Sequence, residues 1–90
     1  MLGYFARIEF RKGNYSRARD FAEETRKIRA DLGHTHSVID VTDLLAQIAI
    51  AQGDQIAAKA LLESAIELSS ELGNQQFVKS FAERLVELDS

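Results

Sequence analysis

Apolar residues recur at steps of three and four along most of the chain. In one stretch they fall at Val41, Leu44, Leu45, Ile48 and Ile50, and in the next at Ala57, Ala58, Leu61, Leu62, Ala65, Ile66 and Leu68. This spacing follows the helical period and gives each stretch a broad apolar side. No segment alternates with the period of two that a half-buried strand requires. Glycine punctuates the pattern at Gly13, Gly33, Gly53 and Gly73. Lacking a Cβ, glycine takes up the left-handed conformation that closes a helix C-terminus. Asn14, Ser37, Asp54 and Asn74 stand beside these stops as candidate caps for the helix that follows. The pattern predicts five helices, over about 2–12, 15–32, 36–52, 55–72 and 75–88.

The chain also repeats itself. GNYSRARDFAEETRKIRADLGH, from Gly13 to His34, aligns with GDQIAAKALLESAIELSSELGN, from Gly53 to Asn74. Identical residues are Gly13 and Gly53, Ala18 and Ala58, Glu23 and Glu63, Leu32 and Leu72, and Gly33 and Gly73, with Phe21 against Leu61 and Ile28 against Leu68. The preceding segments agree too, Phe5-Ala6 over Leu45-Ala46 and Ile8 over Ile48. Self-similarity of this kind signals stacked structural units. Within each unit a helix stop is followed at once by a helix start, so the second helix must return antiparallel to the first. Ala58 and Ala65 would let the two backbones approach closely. The expected architecture is all-α, an antiparallel helix-pair solenoid forming one domain. Unit one covers about 2–34, unit two about 36–74, and a capping helix about 75–88, whose Phe77, Phe81, Leu85 and Leu88 form one apolar stripe.

Phe5-Ala6, Gly13-Asn14-Tyr15 and Ala18 in unit one, and Leu45-Ala46, Gly53-Asp54, Ala58, Leu62, Ala65 and Leu68 in unit two, resemble the tetratricopeptide repeat. That family places a bulky and then a small residue in the first helix, a Gly-Asp/Asn-Tyr turn, and alanines in the second. The units are longer than the common thirty-four residues of the repeat. Leu-Gly-polar replaces the usual terminal proline, and Thr25 stands where a second small residue is expected. These departures are similar to the long-unit variety in bacterial multidomain regulators. The resemblance implies a protein-interaction module, as a segment of a larger regulator, with no enzymatic chemistry and no cofactor.

Composition changes this picture little. The chain is 46% hydrophobic and 28% charged with no proline, which excludes disorder. It has no cysteine, hence neither a disulfide framework nor a thiolate metal site. The longest apolar run, Leu44 to Ala51, is far short of the roughly 20 residues that span a bilayer, and no export signal is visible, so the expected setting is cytoplasmic. Charge is uneven: eight of the eleven Lys and Arg residues lie within the first thirty positions, whereas ten of the fourteen Asp and Glu residues follow them. The basic stretch with Tyr4, Phe10 and Tyr15 interleaved raises nucleic-acid binding, but the sequence pI near 5.3 argues against it. His34 and His36 lack a third ligand at a fixed spacing, so no metal site is expected. Glu23 and Glu24 are adjacent on a helix and point apart, and no glycine-rich phosphate loop is present. No catalytic residue is assigned.

In the resembled family the first helices of the units line a concave face on which peptides bind. Projected onto this chain, that face selects Tyr4, Arg7 and Arg11 from unit one. It continues through Asp40, Asp43 and Gln47, with Leu44 beside them, to Glu83, Arg84 and Glu87 of the last helix. The expected partner is a protein or peptide. The alternative is a homo-oligomerisation element with no separate ligand, because Leu2, Phe5, Ile8 and Phe10 put apolar side chains on more faces of the first helix than one neighbour can bury. A homodimer through these residues is the expected form.

Overall fold

Asp54 ends one helix and begins the next. Its amide donates to the Ala49 carbonyl at 2.9 Å while the Gly53 amide donates to Ile50 at 3.0 Å, the paired bonds of a Schellman close. Its own carbonyl then accepts from the Ala58 amide, and its carboxylate accepts from the Ala57 amide at 3.1 Å. This double role requires Gly53 at φ 77°, where any residue with a Cβ is strained. The same bond pair recurs at Gly13, Gly33 and Gly73.

A computed structural model describes residues 2–89, with the side chains of residues 5–88. Among the described residues every regular element is a helix: α1 (Leu2–Arg11), α2 (Tyr15–Asp31), α3 (Thr35–Ala51), α4 (Gln55–Leu72) and α5 (Gln75–Asp89). The expected boundaries hold to within one residue. Two of the expected caps act as such. Asp54 bonds Ala57, and the Asn74 side-chain oxygen accepts from the Phe77 amide at 3.1 Å. Asn14 occupies the cap position but gives its side-chain amide to Glu9 at 2.8 Å instead. Ser37 is a correction: α3 starts earlier, His34 takes the cap position without a side-chain bond, and Ser37 lies inside the first turn. Asp54→Ala should therefore cost about 1 kcal/mol of stability, and Asn14→Ala less than about 0.5 kcal/mol. Urea denaturation of the two variants tests the difference.

Each helix packs on its neighbours in sequence, and α3 also touches α1, whereas α2 and α4 do not meet. The result is two helix layers, consistent with a shortest dimension of 17 Å. The core has two clusters. In the first, Ala6, Ala18 and Ala22 of unit one meet Val41, Leu44, Leu45 and Ile48 of α3. In the second, Ile39 and Ala46 of α3 meet Leu62, Ala65 and Phe81. Because α3 serves both, it is buried on most sides, and its Thr42 hydroxyl is satisfied by donating to the Val38 carbonyl. Thr25 solves the same problem by donating to Phe21 at 2.9 Å, so the expected small residue is replaced without an orphaned hydroxyl. Phe77, Leu85 and Leu88 of α5 pack on the second cluster beside Phe81.

Candidate partner-binding face

The helices α1, α3 and α5 are the first members of successive forty-residue units, so equivalent positions recur across their shared side. Arg7, Gln47 and Glu87 are one such series, and Asp43 and Glu83 belong to another. The side therefore grades from basic on α1 to acidic on α5. Arg7, Arg11, Asp40, Glu83 and Glu87 are exposed. None of these five forms an ion pair among the described residues. Exposed charges without partners keep their hydration and their field for an incoming ligand.

Three of the remaining candidates are drawn together. An Nη of Arg84 on α5 donates to an Asp43 oxygen on α3, and Gln47 donates to that same oxygen at 3.4 Å. The Arg84 guanidinium also lies over the Phe81 ring, 5.7 Å from its centroid. This partly exposed group ties α5 to α3 across a sequence separation of 41 residues. Its charges are spent on each other, so it forms the floor of the face. The Tyr4 side chain lies outside the described residues.

Two expectations change. Leu44, assigned to the open side, is buried in the first cluster, because α3 turns a wider apolar sector towards unit one than a single helix contact needs. His36 is not in a turn. It lies in the first turn of α3 and stacks on Phe77 of α5, ring centroids 5.5 Å apart and planes 19° apart. Among the described residues no group of three or more His, Cys, Asp or Glu side chains is placed to hold a metal ion. No helix among them is long and apolar enough to cross a membrane.

The residues proposed for self-association separate into two groups. Phe5 is half exposed and its ring lies 6.1 Å from that of Phe21, and Ile8 is partly buried. Phe10 turns inward against the first cluster, 5.7 Å from the Tyr15 ring. The Leu2 side chain lies outside the described residues.

Sequence reasoning missed a cleft of about 680 Å³ on the opposite layer. It runs between α2 and α4, which do not touch, and is floored by Val38 and Thr42 of α3, with Ser64 and Leu68 on one wall and Arg26 on the other. Arg26 on its rim is already paired with Glu23 at 3.2 Å. The available signal was the pair of small residues, Ala30 and Ser64, that leave space between the two helices.

The family model described as tetratricopeptide repeat matches residues 1–71. No curated protein and no solved structure matches the chain.

Proposed function

Because the chain belongs to the tetratricopeptide-repeat family, a family of protein-interaction modules, we propose that it binds a segment of another protein across the side shared by α1, α3 and α5. The observation that carries this reading is the set of unpaired exposed charges graded from Arg7 and Arg11, through Asp40, to Glu83 and Glu87. A segment with acidic residues over α1 and basic residues over α5 meets complementary potential along its whole length. The Asp43–Arg84 pair holds the two helices at fixed spacing beneath it, which lowers the ordering cost of binding. The cleft between α2 and α4 is larger, but the pairing of Arg26 with Glu23 leaves it less charge to offer.

The test is selection of peptides from a random library on the immobilised chain, followed by affinity measurement with charge-reversed variants. Selected peptides should carry acidic residues towards one end and basic residues towards the other. Arg7→Glu with Arg11→Glu should weaken them by about tenfold or more, the effect shrinking as salt rises. A peptide with its charged ends exchanged should not gain what the original loses unless Glu83→Lys and Glu87→Lys are added. Peptides indifferent to all four reversals would refute the assignment.

A further inference from the structure

We infer that the chain forms a two-fold dimer through the side of unit one that faces away from unit two, with Phe5, Phe21 and Ile28 as its apolar centre. The forty-residue register identifies this side. Unit two meets unit one through Leu45 and Ile48 of α3 and Leu61 of α4, and Leu68 lines the seam between α4 and α2. Forty positions earlier stand Phe5, Ile8, Phe21 and Ile28, all large and apolar. In unit two the seam residues Leu45 and Ile48 are 2% and 0% exposed, whereas Phe5 and Ile28 are 51% and 44% exposed and Leu32, one turn beyond Ile28, is 62% exposed. The proximity of the Phe5 and Phe21 rings makes the patch continuous across both helices. Contiguous apolar surface of this kind marks an interface.

The same register says what kind of occupant fits. Towards the interhelix turn the seam of unit two is lined by Ala49, Ala57 and Ala60. Their counterparts in unit one are Glu9, Arg17 and Asp20. Glu9 is held there by Asn14 at 2.8 Å and by Arg17 at 3.9 Å. A further helix pair, stacked as unit two stacks on unit one, would bury these charges at a desolvation cost its contacts could not offset. A single crossing helix covers the apolar end and leaves the turn end in water. A second copy supplies such a helix in α2. An antiparallel crossing that sets Phe21 on the partner's Ile28 brings Arg17 to the partner's Asp31 and Asp20 to the partner's Lys27. Each opposite-charge meeting occurs twice by symmetry, and all four residues are exposed in the single chain. This surface is distinct from the side shared by α1, α3 and α5, so either can exist without the other.

Sedimentation equilibrium of the full chain at tens of micromolar, in low and in high salt, tests the inference. The expected result is a dimer under both conditions, because apolar contact at the centre is not screened. Phe5→Lys and Ile28→Asp should each raise the dissociation constant by about tenfold or more while helical circular dichroism is retained, since both side chains are half exposed. Asp20→Lys and Lys27→Asp should each weaken the dimer, and the double variant should restore it. A monomer throughout the range would overturn the inference. So would a growing head-to-tail series that dissolves in salt, or a dimer indifferent to Phe5→Lys and Ile28→Asp.

Discussion

Leu45→Ala lowers the stability of the chain by about 2–5 kcal/mol, the range for truncating a fully buried leucine. Leu45 lies in the cluster where α3 meets the three alanines of unit one. Alanine cannot follow the retreating side chain. The neighbours Ala6, Ala18 and Ala22 have no rotamers with which to fill the void, so the site collapses poorly and the cost falls high in the range. A domain of this size is stabilised by roughly 5–15 kcal/mol in total, so the variant loses a large fraction of it. Because the cluster joins the two units, the denaturation transition should also broaden as they uncouple. Urea unfolding followed by circular dichroism measures both effects. A midpoint within error of wild type would mean that the units do not depend on this seam.

Ala58→Leu works in the opposite direction, by adding volume where none is available. Ala58 is fully buried on α4, as is Ala18 at the equivalent place on α2. Such alanines let antiparallel helices approach, and a leucine there forces them apart at a cost of about 1–3 kcal/mol. Ala60→Leu, on the exposed side of the same helix, has the same intrinsic helix preference and should change stability by less than about 0.5 kcal/mol. The contrast between the two variants separates overpacking from any general effect of leucine on α4. Equal midpoints would show that α4 presents a different face to α3.

Why the helices could be read from the sequence, and parts of the surface could not, follows from the range of the forces involved. Helix period and glycine stops act over a few residues. The bounds of α4, and the turn in which Asp54 follows Gly53, therefore appear in the sequence as they do in space. The alanines at Ala18 and Ala58 were legible because close backbone approach admits little else. The cap of α3 was misplaced from His34 to Ser37 because residue preference favoured serine, whereas the Schellman bonds after Gly33 leave no residue to spare before the helix starts. Leu44 was misread because a period analysis assigns one apolar face per helix, and α3 has contacts on both sides. The Asp43–Arg84 pair depends on how α5 crosses α3, which no local pattern encodes. The cleft between α2 and α4 likewise arises from two helices that fail to touch. Ile50, at the end of α3, belongs to the helical period yet remains half exposed, because the chain turns away beside it.

The central claim concerns which side of the molecule meets its partner, and amide shift perturbation by a selected peptide on isotopically labelled chain measures this directly. The account predicts that the largest shifts fall on Arg7, Arg11, Asp40, Asp43, Gln47, Glu83 and Glu87, spread over α1, α3 and α5. Shifts concentrated on Glu23, Lys27, Ser64 and Leu68, along the cleft between α2 and α4, would contradict it.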